Sequence, residues 1–251
     1  MKRVLLILLL TVVTGCASGR EKQPQFGKSD PAAYHYQMGI SYLGEGNFTS
    51  ALFELDAAEK LDPDNPELLY NLGRAYVAKK RPDLAVPKFQ KALQIKENYT
   101  TVRNDLGVAY MELKRWDDAI QQFKIVKDDL FYDNNENAAI NLGLAYLGKG
   151  DYPKAQEELR AVAAVNPRNP LVRVSLGRVL FAMDKTELAI VEYKRALDTY
   201  NDFGAAYYYL GLAYLKLNNK AAARSSFKEA VRIMPDTDLG HSALEYLDLL
   251  K

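Results

Sequence analysis

The feature that most constrains this chain is a self-similarity with a period of 34 residues. The segments YHYQMGISYL, LLYNLGRAYV, VRNDLGVAYM, AAINLGLAYL, VRVSLGRVLF and YYYLGLAYLK align on a shared glycine: Gly39, Gly73, Gly107, Gly143, Gly177 and Gly211, spaced by 34, 34, 36, 34 and 34 residues. Twelve residues after each glycine stands an alanine (Ala51, Ala85, Ala119, Ala155, Ala189, Ala223), and four further on a large apolar residue (Leu55, Phe89, Phe123, Leu159, Tyr193, Phe227). Three residues beyond that comes a small or medium apolar one (Ala58, Ala92, Val126, Val162, Ala196, Ala230), and Pro63, Pro167 and Pro235 close their copies five residues later. Steps of three and four are the spacing of a helix face. A period of this length marks units that cannot bury their apolar faces alone and stack to do it for one another.

The pattern resembles the tetratricopeptide repeat. The resemblance covers 32–237 as six copies, 32–65, 66–99, 100–135, 136–169, 170–203 and 204–237. It implies an all-α chain, a right-handed superhelical solenoid of two helices, A and B, per repeat, with 238–251 as a capping helix over the open end. Physically, the glycine and alanine belong where helices A and B of one repeat cross, because only small side chains allow a close approach. Tyr42, Tyr76, Tyr110, Tyr146 and Tyr214, three past the glycine, then fill the space beside the crossing. Asn65-Pro66 and Asn169-Pro170 place an N-cap before a proline at the first helical position. Phe48, Trp116 and Tyr152 recur at the start of helix B and are expected against the neighbouring repeat. Two features depart from the pattern. Pro87 falls inside a helix B, where it removes a backbone bond and should kink the helix. The 36-residue interval adds two residues near KDDLFYDNNENAA, where Leu130, Phe131 and Tyr132 are either packed under a lengthened turn or exposed as a contact patch.

The N-terminus carries a separate signal. Lys2 and Arg3 precede an apolar run from Val4 to Val13. As a helix that run spans about 15 Å, half a bilayer core, too short for a membrane span and right for a secretory signal peptide over 1–15. Val13-Thr14-Gly15-Cys16 resembles the bacterial lipobox, in which the cysteine is acylated after cleavage. Cys16 is the chain's one cysteine, so a disulfide has no second partner. Cys16 is expected to carry the lipid (diacylglyceryl and palmitate-type chains) that holds the protein on a membrane. Ala17, where an inner-membrane lipoprotein would carry aspartate, points to the outer membrane facing the periplasm. Residues 16–31, polar and rich in Gly, Pro, Lys and Gln, read as a tether of roughly 20 Å.

The chain holds 33 basic and 32 acidic side chains, mixed along its length. No basic run or basic-aromatic stripe stands out, so nucleic acid is excluded as the expected partner. His35 and His241 lie at opposite ends of the repeats, too far apart to share a metal or a triad. The glycines follow the repeat period and form no phosphate loop. The reading is therefore of no enzyme, no cofactor, no metal and no small-molecule substrate.

What remains is protein binding. The inner surface of such a solenoid comes from helix A, three residues before the glycine and one and four after it. The first position reads Tyr36, Tyr70, Asn104, Ile140, Val174, Tyr208. The second reads Ile40, Arg74, Val108, Leu144, Arg178, Leu212, and the third Leu43, Val77, Met111, Leu147, Phe181, Leu215. A water-facing groove this apolar is an interaction surface. Tyr36, Ile40, Tyr70, Arg74, Val108, Ile140 and Leu144 are the candidate partner-binding residues. Tetratricopeptide clamps for C-terminal carboxylates use Lys and Asn where the first repeat here has Tyr36 and Ile40, which disfavours that mode.

Lipobox, tether, six repeats and one C-terminal helix together resemble the type IV pilus biogenesis/stability lipoproteins, the secretin pilotins. That resemblance implies a protein that binds secretin subunits in the periplasm and promotes their localisation and multimerisation at the outer membrane. The competing reading is a tetratricopeptide lipoprotein scaffold for outer-membrane protein assembly or peptidoglycan-enzyme regulation.

Overall fold

The computed structural model describes residues 30–250. The signal peptide, Cys16, Ala17, the tether up to residue 29 and Lys251 lie outside them. Thirteen α-helices and no strand are present among the described residues. The A helices are α1 (Pro31–Gly44), α3 (Pro66–Ala78), α5 (Thr100–Glu112), α7 (Asn135–Lys149), α9 (Pro170–Ala182) and α11 (Gly204–Lys216). The B helices are α2 (Phe48–Leu61), α4 (Pro82–Ile95), α6 (Trp116–Lys127), α8 (Tyr152–Val165), α10 (Thr186–Thr199) and α12 (Lys220–Ile233), and α13 (Asp238–Leu249) closes the C-terminal end.

The caps explain where the helices begin. Asn65 Oδ1 accepts from the Leu68 amide at 3.0 Å and Asn169 Oδ1 from the Leu171 amide at 2.8 Å, each with proline next in the chain. Each helix packs on its sequence neighbours, and the backbone of each A helix also comes close to that of the next A helix, whereas B helices reach one another only through long side chains, as Lys88 does to Glu59 and Lys127 to Glu158 at 2.7 Å. The A helices therefore converge and the B helices splay, so the stack curves with its A helices on the concave side. The curvature brings Lys80 Nζ, in the turn of the second repeat, to 3.4 Å from Asp238 at the start of α13.

The crossing of A on B differs in one respect from the sequence reading. Each shared glycine faces the large residue sixteen positions on, not the alanine. A Cβ on Gly73 would lie 2.2 Å from Phe89 Cε1, and one on Gly177 2.3 Å from Tyr193 Cε1, with the same offset in all six repeats. The glycine is a socket for the ring or leucine of helix B, which is why Phe89, Phe123, Phe227, Leu55 and Leu159 are fully buried. Tyr110 and Tyr146 are buried beside these crossings, and Trp116 presses on Gly148 of the following repeat, where a Cβ would come within 2.5 Å of the ring.

Every A-to-B turn uses one left-handed residue seven positions after the glycine: Gly46, Lys80, Lys114, Gly150, Asp184 and Asn218, with φ between 58° and 85°. Two are glycine; the other four hold a conformation that disfavours L residues. Pro87 does not end α4, which continues to Ile95 with the proline exposed. The missing N–H falls on the solvent side, where water can satisfy the freed Asp83 carbonyl. At the far end Tyr246 of α13 stacks on Phe227 with centroids 5.0 Å apart and planes 6° apart, and Ala243 is fully buried. The cap thus supplies the apolar face that a seventh helix A would have brought.

Candidate functional site

The concave side of repeats one to three is more polar at depth than the sequence suggested. Tyr36 and Tyr70, one repeat apart, are half-buried, and their hydroxyls belong to a chain of contacts along the groove floor. Asn71 Nδ2 donates to Tyr36 Oη at 3.2 Å and to the Glu67 carbonyl at 2.8 Å. Arg74 Nη1 donates to Asn71 Oδ1 at 3.2 Å, and its guanidinium lies 5.6 Å from the centre of the Tyr70 ring. Tyr70 Oη donates to Asp105 Oδ2 at 3.0 Å, and Asn104 Nδ2 donates to Asp105 Oδ1 at 3.2 Å. The Tyr70 ring also packs at 5.5 Å from Tyr99 and 6.1 Å from Phe89. These side chains brace one repeat against the next as well as lining the groove.

Burial raises the Asp105 carboxyl above the usual carboxylate range, against the opposing effect of the Tyr70 and Asn104 hydrogen bonds and of Arg74. Burial, followed by the negative charge and the hydrogen bond of Asp105, pushes the Tyr70 hydroxyl well above the ordinary tyrosine range. Asn104 Oδ1 is buried with no hydrogen-bond partner. A desolvated carboxyl beside an unpaired amide oxygen is a costly arrangement for a stack that needs only apolar packing.

Above this floor opens a cavity of about 270 Å³ lined by Arg74, Val77, Ala78, Phe89, Asp105 and Val108. It has the size to take one large side chain. Its walls are apolar apart from one cation at the rim and one carboxylate within. Val108 and Arg74, both expected from the sequence, meet here. Ile40 and Leu144 are half-buried on the same face in repeats one and four and do not line the cavity. Ile140 departs from the expectation: it is fully buried. At its position a tyrosine is long enough to clear the neighbouring helices, whereas a β-branched aliphatic side chain ends inside the packing; Val174, one repeat on, is buried for the same reason.

Asn71 and Asp105 are the groove residues that the sequence reading missed. Both stand two positions before the shared glycine, as does Asn141. The signal was a polar residue at a fixed phase within an otherwise apolar helix A stripe. The lengthened junction also resolves into two parts. Leu130 and Phe131 are 89% and 95% exposed, while Tyr132 is half-buried beneath them. Among the described residues no group of three or more His, Cys, Asp or Glu side chains could hold a metal ion, and no helix is long and apolar enough to cross a membrane.

Six A/B helix pairs, glycine sockets at one phase and a concave face of A helices define a tetratricopeptide-repeat protein, and the chain belongs to the tetratricopeptide repeat family. That family matches residues 36–100, 140–202 and 175–236, and a second form of the repeat matches 77–129. Among particular proteins, the chain is similar to the type IV pilus assembly protein PilF of Pseudomonas aeruginosa, 27% identical over 71% of this chain and 73% of that protein. The human DnaJ homolog subfamily C member 3 is 24% identical over 80% of this chain, but the chain spans only 43% of its length. The fold is also that of two solved structures: P. aeruginosa PilF (TM-score 0.62, 21% identity, 86% of this chain and 97% of that one) and PilW, a widely conserved type IV pilus biogenesis factor (TM-score 0.69, 20% identity, 85% and 98%).

Proposed function

We propose that this chain is an assembly factor of a type IV pilus system. In this reading it is acylated at Cys16, anchored in the outer membrane facing the periplasm, and grips secretin subunits in the groove of its first three repeats, promoting their localisation and multimerisation. The observation that carries the reading is the likeness to a type IV pilus assembly protein over most of both chains, which the longer tetratricopeptide relatives do not offer. The groove supports it chemically. Tyr36 and Tyr70 present rigid amphipathic rings, the kind of side chain that dominates binding hot spots. Arg74 can donate to carboxylate or carbonyl oxygens of a bound segment, and the cavity beside Val108 can take an apolar anchor.

The binding step is association without chemistry: apolar side chains of the partner leave water, and the groove's polar floor fixes register. The test is deletion of the gene, followed by quantification of heat-resistant secretin multimers in outer-membrane fractions. The reading expects multimers to fall sharply while secretin monomer accumulates, and restoration by the full gene. Unchanged multimers in the deletion strain would refute it.

A further inference from the structure

The two most exposed large apolar side chains among the described residues are neighbours, Leu130 and Phe131, at the tip of the junction between α6 and α7. The turn that carries them is built. Asp129 Oδ1 accepts from the Phe131 amide at 3.0 Å, Asn135 Nδ2 donates to the Asp129 carbonyl at 2.7 Å, the Tyr132 amide donates to the same carbonyl at 3.3 Å, and the Thr100 hydroxyl holds the other Asp129 oxygen. Asp129 thereby acts as an internal staple. Tyr132 turns inward: burial, and then the charge of Asp105, hold its hydroxyl above the ordinary range against a hydrogen bond with Asn134. On the turn's outer side Phe131 joins Ile125, which is 46% exposed, along an open cleft of about 640 Å³ whose rim includes Asp128 and Arg103.

Two apolar side chains held out in water by a hydrogen-bonded turn lose little freedom when covered, which makes them efficient contact groups. Their charge setting selects what covers them. The turn itself, 128–136, contains Asp128, Asp129, Asp133 and Glu136 and no lysine or arginine, and the cleft beside Phe131 carries Glu97 and an Arg103 whose guanidinium is already bonded to Gln122 Oε1 and the Glu97 carbonyl. Asp129 and Glu136 are occupied by bonds within the protein, Glu136 with Asn166 and Asn169. Asp128 and Asp133 remain as exposed charges on either side of the apolar pair. An anionic lipid surface is repelled by such a rim, whereas a basic one is attracted.

We propose that the Leu130–Phe131 turn is a second docking point for the protein held in the groove, and that it enters an apolar hollow bordered by lysine or arginine on a folded part of that partner. The proposal rests on the groove reading above, with the secretin as partner. The groove takes one segment and the turn fixes where the partner's adjoining domain sits, so that both contacts form together.

The probe is the purified periplasmic portion of the secretin, titrated against the full chain, the Leu130→Ser/Phe131→Ser variant and the Asp128→Asn/Asp133→Asn variant, at low and high salt. Both apolar positions are almost fully exposed, so the serine variant is expected to keep the wild-type far-ultraviolet circular dichroism. The inference expects that variant to bind on the order of thirtyfold more weakly. It also expects wild-type affinity to fall with salt and that of the asparagine variant to be weaker and nearly salt-independent. Wild type that binds, with a folded serine variant of equal affinity, overturns the docking point and leaves the groove reading standing. Wild-type affinity indifferent to salt overturns the basic-bordered hollow. Wild type that does not bind the secretin overturns both readings. Self-association of the wild type by sedimentation velocity, lost in the serine variant, would overturn this occupant in favour of a second copy of the chain.

Discussion

Replacing Asp105 by asparagine should stabilise this protein at neutral pH, an unusual outcome for a side chain at the floor of a packed groove. The wild-type carboxyl is held above its ordinary range mainly by burial. A carboxyl whose folded pKa is raised contributes stability below its unfolded pKa of about 4 and loses it as pH rises through the folded value. The deficit therefore belongs to neutral pH and not to acid. Asparagine keeps an oxygen to accept from Tyr70 Oη, now 3.0 Å away. Its amide nitrogen stands where Asn104 Nδ2 now donates, so Asn104 turns its amide to accept with Oδ1, and its NH2 takes the buried place where Oδ1 has no partner: the orphan is exchanged, not removed. Removing one desolvated charge is worth on the order of 1 kcal/mol, or about 2–4 °C in the unfolding midpoint for a chain of this size. The assay is thermal unfolding followed by circular dichroism at pH 7 and at pH 3. The gain should be present at pH 7 and vanish at pH 3, where both proteins carry a neutral group. A variant less stable than wild type at pH 7, or a gain unchanged at pH 3, would refute the reasoning. A stabilising substitution would also mark Asp105 as a residue kept for binding rather than for folding.

Three further outcomes are expected, two from the geometry and one from the proposed anchor. Lys114 occupies a left-handed turn position with φ 58°, so Lys114→Gly should raise stability by about 0.5–1 kcal/mol, and Asn218→Gly by less because asparagine tolerates that region; chemical denaturation midpoints measure both. Gly73→Ala forces a Cβ to within 2.2 Å of the buried Phe89 ring and should lose about 1–3 kcal/mol. Leucine faces the glycine in repeats one and four, where a Cβ would lie 2.6 Å from it rather than 2.2 Å, so Phe89→Leu should recover a small part of that loss, and additive losses in the double variant would argue against the socket. Cys16→Ser should release the protein from the outer-membrane fraction; if it still fractionates there, the lipid anchor is wrong.

The solenoid was legible because its rule repeats. Six copies of glycine, alanine and a large apolar residue at fixed offsets determine helix, pairing and stacking together, and even the cap helix follows from the need to cover the last pair. The partner of each glycine was not legible: spacing alone does not distinguish contact with the alanine twelve residues on from contact with the ring sixteen on. The left-handed turn position was hidden for a similar reason, since lysine, aspartate and asparagine fill it in four of six copies and only Gly46 and Gly150 announce it. At the candidate site, Arg74 and Val108, both expected in the groove, line one cavity. Ile140, expected there too, is buried instead, because facing the groove and reaching it are different properties, and the second depends on side-chain length. Asp105 and Asn71 were passed over because a single polar residue in an apolar stripe looks like an interruption until its partner one repeat away is seen. The split of Leu130 and Phe131 from Tyr132 was likewise set by tertiary contacts, through Asp129 and Thr100, that no local pattern encodes.

The central claim, that the concave groove of repeats one to three holds a secretin segment, is tested most directly by one titration. Val108 is half-buried at the wall of the 270 Å³ cavity. Val108→Glu places a charge there without disturbing the glycine sockets. Isothermal calorimetry of the secretin's periplasmic portion against wild type and Val108→Glu, with circular dichroism confirming that both are folded, should show a loss of about thirtyfold in affinity for the variant. Equal affinities for the two folded proteins would contradict the account.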